Sequence, residues 1–130
     1  MAGTSLSLAK LARASATHVA FAFLAMGAWA LFANRAHGAA AIAPALAQGT
    51  ISGAITYFLK RVLEGFALRL RGAAAYLAPP LATASAILAL LIGVHTLIGT
   101  PEIAATIAVP WSVSTLYAIV YSAVLARGRR

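Results

Sequence analysis

The sequence lacks cysteine and is poor in acidic residues, with 2 Asp and Glu against 10 Lys and Arg in 130 residues. Without cysteine there is no disulfide, no thiolate metal site and no cysteine nucleophile. The sequence also has no paired carboxylates, no glycine-rich phosphate loop and no nucleophile elbow. We therefore expect no enzymatic activity, no cofactor and no bound metal ion.

Charged residues are scarce as well, at 9% of the chain, whereas hydrophobic residues make up 62%. Soluble domains are about 25% charged, so this composition excludes an ordinary soluble globule and a disordered chain. The basic residues lie between apolar runs rather than on a water-facing surface, so we expect no nucleic-acid partner. The composition indicates a small integral membrane protein.

Four apolar runs without Asp, Glu, Lys or Arg cover residues 16–33, 39–59, 76–98 and 103–126. A helix needs about 20 residues to cross a bilayer core of about 30 Å, and all four runs come close to or exceed that length. A soluble helical core is the alternative, but it would need polar helix faces that these runs lack. We predict an all-α membrane protein with four transmembrane helices in a single domain, residues 1–130.

The connections between the runs predict two helical hairpins. Residues 34–38 and 99–102 are short polar turns, whereas residues 60–75 form a longer, basic connection. In that connection Val62, Leu63 and Phe66 share one helical face, which is typical of an amphipathic stretch lying on a membrane surface. An extension of the second helix into water is the alternative interpretation.

The basic residues are distributed unequally between the two sides of the predicted membrane. With a cytoplasmic N-terminus, only Arg35 faces outward, and nine residues face inward: Lys10, Arg13, Lys60, Arg61, Arg69, Arg71, Arg127, Arg129 and Arg130. The positive-inside rule then places both termini in the cytoplasm. Signal-peptide cleavage after residues 45–47 is the alternative, but it would leave three spans and divide the basic ends between the two sides.

The two hairpins also have some sequence similarity to each other. An offset of 64 positions pairs Tyr57 with Tyr121 and aligns the turn at Arg35 with the turn at Gly99. The two halves are therefore candidates for parallel internal repeats, related by an axis along the membrane normal.

Close helix packing is predicted at Gly49 and Gly53, which form a GxxxG pattern in the second run. Small residues of this kind let helix backbones approach each other in a membrane. The pattern fits either a tight monomeric bundle or a homodimer through this helix.

At the start of the fourth run, Thr100 is predicted to act as a helix N-cap, followed by Pro101 and Glu102.

Two groups of polar residues are candidate binding sites. On the inner side, four basic residues could hold the phosphate headgroup of an anionic lipid: Lys60, Arg61, Arg69 and Arg71. On the outer side, a polar cluster is predicted from residues that flank the spans: Arg35, His37, His95 and Glu102. Ionisable groups near or within membrane spans are costly and are therefore functional candidates.

The segment Tyr57-Phe58-Leu59-Lys60-Arg61, with Tyr121 followed by Arg127, resembles the helix endings of the GtrA-like family. The resemblance implies four helices in two hairpins in the bacterial inner membrane. It also implies that the protein translocates a polyprenyl-phosphate-linked sugar, or assists translocation, with membrane lipids, a lipid-linked saccharide and a glycosyltransferase as partners. The alternative function is that of a non-catalytic structural or assembly subunit of a larger membrane complex. A further copy of the chain, in a homo-oligomer, is another candidate partner.

Overall fold

The computed structural model describes the backbone of residues 2–129 and the side chains of residues 7–129. Over residues 2–129 all the regular secondary structure is helical, without a strand. Its helices are α1 (Ala2–Ala33), α2 (Ile42–Arg69), α3 (Ala73–Leu97) and α4 (Ile103–Arg127), and a short 3₁₀ segment, Arg35–Ala41, joins α1 to α2. Arg130, which contributes to the predicted inner charge, lies outside the described residues.

Over these residues the chain has four helices that are long and apolar enough to cross a membrane. The prediction of an all-α fold with four such helices is confirmed. With 28 residues, α2 is about 42 Å long and exceeds the bilayer core by about two turns.

The long basic connection is built differently from the two short ones. Residues 60–69 continue α2 without a break, and the chain turns only at Leu70–Gly72. Gly72 has a φ of 62°, which side chains with a Cβ rarely adopt, so it permits a sharp turn into α3. The continuous helix matches the alternative in which this segment extends α2.

Packing centres on α2, which contacts α1, α3 and α4. The most extensive contacts are those of α1 with α2 and of α3 with α4. The buried apolar core lies among α2, α3 and α4, and consists of Leu59, Leu63, Ile87, Leu91, Ile107 and Ala118.

The GxxxG pattern lies at the contact between α1 and α2. A Cβ on Gly49 would lie 2.8 Å from the carbonyl oxygen of Phe23, and a Cβ on Gly53 would lie 3.2 Å from Cγ1 of Val19. Both glycines therefore let the two backbones approach closely within one chain. Because α1 occupies this face, it is not open to a second copy.

The two ends of the helix bundle differ in character. At one end, which we call the turn end, the connections after α1 and α3 meet, and His37 Nε2 lies 3.0 Å from Glu102 Oε1. At the other end, which we call the basic end, lie the last turns of α2 with Lys60, Arg61 and Arg69, and Arg71 after them. Here the Tyr121 hydroxyl donates to Glu64 Oε1 over 2.7 Å and joins α4 to α2.

Candidate functional site

The turn end contains six buried polar side chains, which we call the polar layer: Asn34, Gln48, Ser52, His95, Thr100 and Thr106. They come from the connection after α1, from α2, from the connection after α3, and from α3 and α4 themselves. Buried polar groups are costly in an apolar bundle unless each finds a hydrogen-bond partner. In the polar layer the partners are other members of the layer and neighbouring backbone groups.

His95 is the centre of the first half of the polar layer. Its Nε2 lies 2.9 Å from Gln48 Oε1, and its Nδ1 lies 2.7 Å from the hydroxyl of Thr100. Because an amide oxygen only accepts, Nε2 donates to Gln48, and in the neutral ring Nδ1 accepts from Thr100. The Gln48 amide nitrogen then donates to Ser52 Oγ over 2.8 Å, so the hydrogen bonds form one directional chain.

Asn34 is the centre of the second half. Its Nδ2 donates to Ala30 O over 2.8 Å and to Thr106 Oγ1 over 2.7 Å, while its Oδ1 accepts from the Glu102 backbone N–H over 2.9 Å. The Thr106 hydroxyl in turn donates to the Glu102 carbonyl. One side chain thus connects the end of α1 to the start of α4.

The structure brings together only part of the predicted outer cluster. His37 and Glu102 form a pair and are partly exposed. Arg35 lies apart from them, with its guanidinium 3.9 Å from the centre of the Phe32 ring and donating to the Phe32 carbonyl. His95 is fully buried and bonds to the polar layer instead.

The predicted capping role of Thr100 is wrong. The helix α4 begins at Ile103, its N-cap position is Glu102, and no side chain caps it. The Thr100 hydroxyl is directed to His95. The Thr100 hydroxyl can bond either to a free N–H at the start of α4 or to a buried polar side chain, and here it bonds to the buried His95 imidazole.

Sequence reasoning missed the other polar-layer residues. In the sequence, Asn34 belongs to a short polar turn, and nothing in the local pattern assigns a role to Gln48 or Thr106. The available signal was that Gln48 and Thr106 interrupt apolar runs, since polar residues in such runs point to interhelical hydrogen bonds.

At the basic end, three of the four predicted phosphate-binding residues are spread along α2. Lys60 lies 3.9 Å from Glu64, Arg61 stacks on Tyr57 at 4.2 Å, and Arg69 donates to the Gly65 carbonyl. Lys60 and Arg69 are nine positions apart, which places them about 180° apart around the helix. These three cations do not converge on one point.

Arg71 has a different position. It lines a cavity of about 190 Å³ together with Arg129, Tyr76 and Ala75. The cavity lies where α3 begins, and α3 has no side-chain cap and no acidic residue in its first turn. The free N–H groups of a helix N-terminus carry partial positive charge. The C-terminal ends of α2 and α4, at Leu70 and Ala126, also border the cavity and carry partial negative charge, so the positive charge of this corner comes from its two arginines.

A second, larger hollow of about 560 Å³ lies beside this cavity. It is lined mainly by apolar residues of α2 and α4, among them Leu68 and Val124, and by Glu64 and Arg129. Arg129 thus borders both the basic cavity and an apolar groove.

Over the described residues, no group of three His, Asp or Glu side chains is placed to hold a metal ion.

No protein-family model, curated protein or solved structure matches the chain. A function for the protein must therefore be inferred from the chemistry of the two ends of its helix bundle.

Proposed function

We propose that the protein is a multi-pass protein of the bacterial inner membrane that translocates a polyprenyl-phosphate-linked saccharide, or assists its translocation. In this proposal the lipid phosphate binds at the basic end. The observation that carries it is the cavity bordered by both Arg71 and Arg129.

The residues around this cavity suit a phosphate group. Arginine binds phosphate through two parallel N–H donors, and the first turn of α3 offers further backbone donors. The nearest acid on α2, Glu64, accepts from the Tyr121 hydroxyl and lies near Lys60, so its charge is partly compensated. No acidic side chain is among the described residues that line the cavity of Arg71 and Arg129.

The apolar groove next to Arg129 is the proposed binding site for the hydrocarbon chain of the lipid. Its walls are formed by Ala67 and Leu68 of α2 and by Val124 and Leu125 of α4. An isoprenoid chain could lie against these side chains while its phosphate contacts the arginine. The neighbouring position of a cationic cavity and an apolar groove is what an amphiphile with a phosphate head requires.

The proposal includes a membrane orientation. The four spans form two hairpins, with both termini and the basic end in the cytoplasm, because all Lys and Arg residues except Arg35 belong to that side. In this orientation the phosphate is bound from the cytoplasmic leaflet. The parallel internal repeats remain a prediction. The connection after α1 contains a 3₁₀ segment, Arg35–Ala41, whereas the connection after α3 contains none.

Reconstitution of the purified protein into vesicles tests the proposal. A fluorescent polyprenyl-phosphate sugar is added to both leaflets, and its protection from an external quencher that cannot cross the membrane is followed over time. We expect exchange between leaflets with the natural chain and a reduced rate with Arg71→Gln and Arg129→Gln. The matched control is Arg13→Gln, a basic residue on the same side that does not border the cavity.

A second candidate function is that of a non-catalytic subunit of a larger membrane complex. The observation in its favour is the exposure of α1, of which only 6% of the span residues are buried within the chain. Phe21 and Leu24 are among its exposed apolar side chains, and a partner helix could cover them. Exchange activity of the protein alone in vesicles would favour the first function, whereas activity that requires a co-purified partner would favour the second.

A further inference from the structure

The polar layer at the turn end is not used by the proposed function, and its central residue is a histidine. His95 is fully buried, yet it lies close to the end of α3, and the connection after α3 covers it. Besides the hydroxyl bond, the Thr100 backbone N–H donates to the His95 carbonyl over 2.9 Å. The same short turn therefore covers the imidazole and is held by it.

Among the side chains of residues 7–129, none offers His95 a counter-charge. From α2 it meets the neutral side chain of Gln48, which leads on to Ser52, and from the following turn it meets the neutral hydroxyl of Thr100. The titratable and charged groups near this end are Glu102 and His37, which pair with each other, and Arg35, which stacks on Phe32. None of these contacts the imidazole.

A protonated ring fits this arrangement poorly. The added proton on Nδ1 would face the Thr100 hydroxyl, which would have to change from donor to acceptor. A buried charge without a counter-ion is also strongly unfavourable in an apolar bundle. An imidazole that reached water would take up a proton near the ordinary histidine pKa of about 6.5. Acid therefore favours any arrangement in which the turn has moved away from His95.

We propose that the polar layer is an acid-sensitive latch, in which the neutral His95 imidazole holds the connection after α3 closed and its protonation releases that connection from His95 and Asn34. The closed form has its full stability above about pH 6.5 and loses stability as the pH falls below that value. This inference does not depend on lipid binding at the other end.

His37 provides an internal discriminator. His37 is the other histidine at the turn end, and its Nε2 lies 3.0 Å from Glu102 Oε1, so it has an acidic partner that His95 lacks. The latch assigns the opening in acid to His95, so removal of the His37 side chain leaves the opening in place.

The chain has a natural reporter of this opening. Trp29 Nε1 donates to the Ala105 carbonyl over 2.9 Å and so links α1 to the first turn of α4, next to the polar layer. The chain has 2 tryptophans, and Trp111→Phe leaves Trp29 as the only one. Its emission in lipid nanodiscs is recorded from pH 8 to pH 4.5. We expect a red shift of the emission with a midpoint between about pH 5 and 6.5.

Three further variants on this background identify the titrating group. His95→Gln keeps an amide that can donate and accept but cannot titrate here, and we expect it to abolish the transition. His37→Gln should retain the transition. Thr100→Val removes the donor to Nδ1, and we expect it to raise the midpoint by about one pH unit, a measurable change even if His95→Gln fails to fold.

The proposal is overturned if the Trp29 emission does not change between pH 8 and pH 4.5. It is also overturned if the transition survives in folded His95→Gln, disappears in His37→Gln, or keeps its midpoint in Thr100→Val. Circular dichroism at each pH shows that the helices remain formed, so that a general acid unfolding is recognised as a result against the latch.

Discussion

Asn34 Nδ2 donates to Thr106 Oγ1 over 2.7 Å, although the two residues are 72 positions apart in the chain. The same asparagine accepts from the Glu102 backbone N–H. The helix α4 has no side-chain cap of its own, and the Asn34 amide provides hydrogen-bond partners for the Glu102 N–H and the Thr106 hydroxyl at its start. The contact joins the outermost helices of the sequence at the turn end, so the position of α4 relative to α1 depends on it.

Replacing Asn34 by Leu should destabilise the protein. The change leaves the Glu102 N–H without its acceptor and removes the amide that donates to the Thr106 hydroxyl, in a region where water is scarce. We expect a loss of about 1–3 kcal/mol, as for other buried groups that lose their partner. The measurement is thermal unfolding in detergent, monitored by circular dichroism.

Thr50→Val is the matched control for that prediction. Thr50 is exposed, and its hydroxyl donates only to the Leu46 carbonyl of its own helix. Its removal should change the unfolding temperature little. An equal loss in both variants would contradict a special role for Asn34.

Gly49→Ala should weaken the contact between α1 and α2. The new Cβ would lie 2.8 Å from a backbone oxygen of Phe23, which cannot move without displacing α1. We expect a destabilisation of about 1–3 kcal/mol, as in other overpacked cores. Gly93→Ala is the control, because a Cβ there meets nothing within 4 Å and the gain in helix propensity is the same. A similar unfolding temperature for the two variants would contradict the close approach.

The four helices could be predicted from the sequence because their signal is local. Length, the absence of charge within each run and the polar connections do not depend on how the helices are arranged. The end of α2 was harder to place, since residues 60–69 carry both apolar and basic side chains and fit an interfacial segment or a helix extension equally well.

The polar layer could not be predicted in the same way. The bond between Gln48 and His95 requires α2 and α3 to have one particular rotation and relative height, which no local pattern determines. Likewise, the capping role expected for Thr100 competes with a partner that becomes visible only once the helices are packed. The convergence of Arg71 and Arg129 has the same origin, since the residues lie at the start of α3 and after the end of α4.

The proposed orientation predicts opposite accessibility for the two ends. The chain has no cysteine, so single cysteines can be introduced at Ala36, in the connection after α1, and at Gly128, after α4. A thiol reagent that cannot cross the inner membrane should label Ala36→Cys in spheroplasts and label Gly128→Cys only after lysis. Labelling of Gly128→Cys in intact spheroplasts would contradict the assignment of the basic end to the cytoplasm.

The central claim is that Arg71 and Arg129 hold a lipid phosphate, and native mass spectrometry of the protein released from micelles tests it most directly. The protein is presented with equal amounts of a polyprenyl monophosphate and the corresponding polyprenol. We predict that the phosphate form is retained, that Arg71→Gln and Arg129→Gln each weaken its binding about tenfold, equivalent to about 1.4 kcal/mol, and that Lys60→Gln and Arg13→Gln have smaller effects. Equal retention of the polyprenol, or unchanged binding in both cavity variants, would contradict the claim.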